Sequence, residues 1–159
     1  MRKTMQSLAL ALCLLLFGQM TALALVQSGL SAQSGSATVV YRASLADEVV
    51  RQVNDERTRR GLGSLGVSAE LNRAARVRAM EITRKFSHTR PDGSAWRTVS
   101  SAAYGENIAV GQRTADKVMA AWLTSSGHRA NILRASYGSI GVCAVVSGGV
   151  TYWVQLFGK

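Results

Sequence analysis

Ser139-Ile-Gly-Val-Cys-Ala-Val-Val-Ser-Gly-Gly-Val-Thr-Tyr-Trp-Val-Gln-Leu-Phe157 is the stretch that decides the fold. Two runs rich in β-branched and aromatic residues flank Ser147-Gly148-Gly149, which predicts a hairpin with strands over 139–146 and 150–157. Ile140 to Val146 is apolar at both parities. A strand of that kind needs cover on both faces, so helices are expected above and below the sheet. The expected fold class is α+β: a three-layer α-β-α sandwich with a small antiparallel sheet between helices.

The chain upstream supplies such helices. Leu45, Val49 and Val53 recur every four residues among Asp47, Glu48, Arg51, Gln52 and Asp55, until Gly61 and Gly63 stop the helix. Ser68 is a suitable N-cap for a second helix with Leu71, Ala74, Ala75, Arg78, Ala79 and Ile82 at three- and four-residue spacing. Phe86-Ser-His-Thr-Arg-Pro-Asp-Gly93 then breaks the period, and Pro-Asp-Gly marks a turn. Residues 87–105 form a connection long enough to expect a function for it. Thr114 caps a third helix with Val118, Met119, Ala121 and Trp122, and His128 to Leu133 reads as a short fourth.

The N-terminus has a different character. Arg2 and Lys3 precede an apolar run from Leu8 to Phe17, and Ala22-Leu23-Ala24 offers a small-x-small cleavage site. Residues 1–24 therefore read as a secretory signal peptide, with no membrane anchor expected in the mature chain, whose location would be secreted or periplasmic. Residues 25–44, rich in Ser, Gly and Ala, read as a flexible linker, and the domain is expected over 45–159. Cys13 leaves with the signal, so no intrachain disulfide is expected, and Cys143 in its apolar run reads as an inert buried thiol.

Of 159 residues, 19 are Lys or Arg and 9 are Asp or Glu, a formal charge of +10 that becomes +8 without Arg2 and Lys3. With 47% apolar residues the chain is neither disordered nor a disulfide-stapled miniprotein. Residues 51–97 hold eleven Lys or Arg, so the first two helices are expected to present a solvated basic face. That face suits an acidic envelope polymer. Nucleic acid is not expected, since only Phe86 and Trp96 in that region could stack on bases.

His88 and His128 are the only histidines, and both stand where periodic structure stops, with Glu106 between them in the chain. Two imidazoles and a carboxylate that converge can hold a divalent ion with open positions. Their spacing is too long for a local ligand motif, so the competing reading is of three separate polar residues. Ser125 or Ser126 with His128 as base would be a nucleophile pair, but Gly-x-Ser-x-Gly is absent and a helix cap explains the serines.

Taken in order, Val53-Asn54-x-x-Arg57, Leu65, Leu71-x-x-Ala74-Ala75, Phe86-Ser87-His88, Pro91-Asp92-Gly93, Gly105-Glu106-Asn107-Ile108-Ala109, Trp122-x-x-Ser125-x-Gly127-His128-Arg129-x-Asn131, Gly141-Val142 and Tyr152-Trp153-Val154-Gln155-x-Phe157 resemble the CAP superfamily (SCP domain), in its short bacterial form. The resemblance covers Leu45 to the C-terminus. It implies an α-β-α sandwich and a cleft lined by His88, Glu106, His128 and Ser125, with His88, Glu106 and His128 as metal ligands. Family members often carry a second glutamate where Ser125 stands, so the group is one carboxylate short. By the same resemblance Asn107 would turn the loop behind Glu106, Asn131 and Arg129 would brace the short helix, and Trp122, Trp153 and Phe157 would be core.

The expected function is a secreted or periplasmic binding module whose cleft takes zinc or another divalent cation, a small hydrophobic ligand or a cell-envelope component, with no organic cofactor. Two alternatives stand beside it. One is a hydrolase, metal-assisted or dependent on Glu106 as general base. The other is an interaction protein that binds acidic envelope polymer through its basic helical face.

Overall fold

The computed structural model describes residues 38–159, so the expected signal peptide and most of the expected linker lie outside the described residues. The elements are β1 (Val40–Tyr41), α1 (Ala43–Arg59), β2 (Gly66–Val67), α2 (Ala69–Arg84), β3 (Gly105–Val110), α3 (Ala115–Thr124), α4 (Ser126–Ile132), β4 (Ser139–Ser147) and β5 (Val150–Gly158). A 3-10 turn over Trp96–Val99 and a bridge between Thr89 and Ala95 give the long connection its own structure.

The hairpin of β4 and β5 is the centre of the sheet, whose order is β1-β4-β5-β3. Gly148 and Gly149 both have positive φ, 56° and 77°, as a two-residue turn matched to strand twist requires. β1 and β3 add antiparallel, while β2 pairs parallel to one end of β4. Along β4, Ile140, Val142 and Ala144 face a core with α1, α3 and α4, and Cys143 and Val145 face a core with α2. The strand is thus covered on both sides, as its sequence requires. Gly141 marks the tightest crossing: a Cβ there would stand 2.2 Å from the Leu71 backbone, so α2 rests directly on the strand.

Local chemistry sets the helix ends. Ser68 Oγ accepts from the Leu71 amide and Thr114 Oγ1 from that of Lys117. α1 ends in a Schellman motif, with Leu62 N donating to Arg57 O, Gly61 N to Thr58 O, and Gly61 at φ +71°.

Three expectations need correction. The stretch read as linker already carries the edge strand Val40–Tyr41, and α1 begins at Ala43. Gly105-Glu106-Asn107 opens a strand and not a loop, so Asn107 turns nothing. The first two helices do not present all their cations to solvent, because Arg57 and Arg78 are buried at 1% and 0% accessibility. β3 was missed since six residues with a Glu and an Asn at successive positions lack a strand's apolar signature.

Candidate functional site

The outer edge of β3 is where the sequence-predicted residues gather. Side chains alternate along a strand. Glu106 and Ile108 accordingly point to the α2 side, and Asn107 and Ala109 to the α3–α4 side. The outward carbonyls of the strand are closed by side chains: Asn131 Nδ2 donates to Glu106 O at 3.1 Å, and Trp122 Nε1 to Ile108 O at 3.3 Å. An edge occupied in this way does not recruit another strand.

On the α2 side, His88 Nδ1 lies 2.7 Å from Glu106 Oε1. An ionised carboxylate only accepts, so Nδ1 is the donor, and in the neutral ring the lone pair is on Nε2. Behind Glu106 stands Arg78, on the α2 face otherwise occupied by Leu71, Ala75 and Ile82. Its Nε donates to Glu106 Oε2 at 2.7 Å and its Nη2 to Oε1 at 3.3 Å, a forked pair with both side chains shielded from water. Nη2 also donates to Ser87 O at 2.8 Å, and Nη1 to Glu81. Burial pushes the Arg78 pKa down, but the bonds to Glu106 and Glu81 outweigh it and raise the pKa overall.

On the other side, Asn107 Nδ2 donates to His128 O at 3.1 Å and to Gln155 Oε1 at 3.0 Å, while Asn131 Nδ2 donates to Asn107 Oδ1 at 2.9 Å. These amides fasten α4 to β3 and so locate His128 in the first turn of α4. The His128 ring is half-buried, and its pKa is lowered by burial first and then by the nearby His88. Its neutral form, the form that can donate a lone pair, is favoured.

The structure thus joins His88 to Glu106 directly and brings His128 within electrostatic reach of His88. It does not arrange the three as ligands of one ion: among the described residues no three His, Cys, Asp or Glu side chains are spaced to hold a metal. Glu106 has both oxygens engaged, so its contribution is to orient His88. Ser125 is the N-cap residue of α4, yet its side chain makes no capping bond there. Cys143 is buried and its thiol is pushed up to about 11 by burial, so it stays protonated and unreactive.

Sequence reasoning missed Arg78, Glu81, Arg90 and Gln155. A signal was present for Arg78, which occupies an apolar-period position of α2. A separate cavity of ≈ 90 Å³ opens at the β4 edge beside Tyr41, Arg42, Asn72 and Arg76, and neither histidine lines it.

The family model described as the cysteine-rich secretory protein family, CAP, matches residues 50–157. The chain belongs to the CAP family. It is 38% identical over 118 residues to the uncharacterized protein YkwD of Bacillus subtilis, a match covering 69% of this chain and 45% of that protein, so the chain spans less than half of that relative. Among solved structures, an outer surface protein of Borrelia burgdorferi superposes with a TM-score of 0.66 at 18% identity, covering 77% of this chain and 98% of that one. An extracellular SCP-domain protein of Bacillus anthracis gives 0.64 at 23% identity, covering 74% and 41%. These two likenesses establish the α-β-α sandwich. Among the described residues no helix is long and apolar enough to cross a membrane.

Proposed function

We propose that this CAP domain is a secreted or periplasmic binding module that takes its ligand at the β3 edge through the Nε2 atoms of His88 and His128. The observation that carries the reading is the His88–Glu106–Arg78 chain. An ordinary surface imidazole samples both tautomers, whereas here Nδ1 donates to a carboxylate that is itself clamped by a buried guanidinium. That leaves Nε2 as an outward donor, and His128, with its depressed pKa, supplies a second.

Zinc or another divalent cation suits two neutral imidazoles, and a bound ion would supply Lewis acidity and a more acidic water. Glu106 acts from behind, by orienting His88. A small cell-envelope component with donor and acceptor groups is the natural co-ligand for the remaining positions. Location outside the cytoplasm is supported by the signal-like residues 1–24 and by the outer-surface and extracellular descriptions of the two structural neighbours.

Calorimetric titration of the purified protein with zinc tests the site. Binding is expected in the wild type and is expected to vanish in His88→Ala and in His128→Ala. Unchanged binding in both variants would remove the histidines from the site.

The same dyad favours one further reading. A histidine whose Nδ1–H is held by a carboxylate is arranged as a general base at Nε2, which fits a hydrolase. Turnover of ester, peptide or glycan substrates that disappears in Glu106→Gln would establish it, and a flat result across such a panel would exclude those substrates. Arg73, Arg76 and Arg84 are exposed on α2. They supply a cationic surface for acidic envelope polymer, whose retention on an anionic matrix is expected to fall in Arg73→Ala/Arg76→Ala.

A further inference from the structure

His88 is held more firmly than its exposure would require. Its side chain is 52% accessible, yet the groups that fix it lie beneath the surface. Glu106 accepts the Nδ1 proton, Arg78 forks onto both Glu106 oxygens, and Arg78 also donates to the carbonyl of Ser87, the residue before the histidine. Glu81 stands one turn along α2 from Arg78 and binds it. Glu81 in turn accepts from Arg90, two residues past the histidine, with Nη2 to Oε1 at 2.7 Å and Nε to Oε1 at 3.0 Å. The turn that carries His88 is therefore gripped on both sides by a pair of α2 residues, and Trp96 N closes it by donating to His88 O at 3.0 Å.

We infer that Arg78, Glu81 and Arg90 are positioning residues for His88, a line of alternating charge that holds the Glu106 carboxylate and the histidine turn so that the lone pair of the ring stays on Nε2. The inference deepens the binding reading and rests on it only in taking Nε2 as the atom that meets the ligand. Stability alone is a weak reason for such an arrangement, because buried ion pairs are often no more stabilising than apolar residues of the same volume. Geometry is the better reason. Charged partners on both sides of each group leave one arrangement in which all are satisfied, and a neutral imidazole without a fixed acceptor at Nδ1 has no cause to keep its proton there.

The test is the tautomer of His88 in the purified full chain, read from side-chain nitrogen shifts in long-range proton–nitrogen correlation spectra above the histidine titration range. His128→Ala assigns the two rings. The wild type is expected to be Nδ1–H at His88. Glu81→Gln and Arg90→Ala, neither of which touches the imidazole, are expected to move the population toward Nε2–H with unchanged far-ultraviolet dichroism, and to weaken zinc binding by about 10-fold. Arg90→Lys, which keeps the charge, is expected to restore much of the tautomer. Arg78→Lys should give the largest shift; if that variant does not fold, the two outer variants decide alone. A His88 that is Nε2–H in the wild type, or Nδ1–H in every variant, overturns the inference. If the wild type binds no zinc, the metal reading fails while the tautomer series still decides the positioning role.

Discussion

The two buried arginines, Arg57 on α1 and Arg78 on α2, solve the same physical problem in opposite ways. Each is a charge taken out of water, and each makes four donor bonds. Arg57 is caged by neutral carbonyls: Nε to Gly63 O at 2.8 Å, Nη1 to Ile132 O at 2.8 Å and Arg134 O at 3.0 Å, and Nη2 to Tyr137 O at 3.3 Å. Those oxygens belong to the loop after α1 and to the end of α4 and the loop beyond, where helix carbonyls lack partners of their own. Burial pushes the pKa of Arg57 down, with no carboxylate to oppose it. Arg78 instead meets two carboxylates, which raise its pKa despite burial. The difference teaches where to look for function. A cation that closes loops with carbonyl dipoles ends there, whereas a cation paired with carboxylates passes orientation on to whatever those carboxylates hold, here His88.

The largest expected effect breaks the first member of the pair. Arg57→Met strands the carbonyl oxygens of Gly63, Ile132 and Tyr137, while Arg134 O keeps the Tyr137 amide as donor, and a stranded buried polar group costs about 1–3 kcal/mol. With water reaching the outer ones, a loss of about 4 kcal/mol is expected. It would be seen as a lower urea midpoint at unchanged slope, and the His88 tautomer should be intact in the fraction that remains folded. A loss below about 1 kcal/mol would mean that the cage is dispensable.

The next effect separates the two sites. Arg78→Met leaves Glu106 buried without its counter-charge, for an expected loss of about 3 kcal/mol. Adding Glu106→Leu removes the orphaned charge as well, so most of that loss should return in urea denaturation. No second substitution can rescue Arg57 in this way, because its partners are backbone. If the double variant is as unstable as the sum of its singles, the ion pair stabilises the fold outright and the orientation argument loses its main support.

These residues also show what the sequence could tell. The sandwich was legible because Ile140 to Val146 is apolar at both parities, and the caps at Ser68 and Thr114 were legible because capping is local. His88 and Glu106 were brought together by resemblance and not by spacing, and in the fold they lie 2.7 Å apart. Arg78 was visible only as a cation among the apolar-period positions of its helix, and nothing local named its partners. Glu81 and Arg90 could not be read at all, since their contact depends on how the 87–95 turn folds back on α2. β3 was hidden for a related reason: its Glu and Asn are satisfied by tertiary partners that no local pattern announces.

The smallest expected effect distinguishes the sites by acid. Burial pushes the carboxyl of Glu81 up, but Arg90 and Arg78 outweigh it and hold the group below its usual value of 4.5. In the unfolded chain that carboxyl takes up its proton first. Its contribution to stability is therefore fully present above about pH 4.5 and is lost as the pH falls through the lower folded value. The carbonyls around Arg57 do not titrate in this range. Urea midpoints measured near neutrality and at about pH 3.5 should thus converge more in Glu81→Gln than in the wild type, because the variant has already given up the acid-labile part. Arg57→Lys should keep the full wild-type drop, since every carboxylate that causes it, including Glu56 between Arg59 and Arg60, is still in place. Equal drops in all three proteins would show that the Arg78–Glu81 pair is insensitive to acid and that the contrast between the two arginines lies in geometry alone.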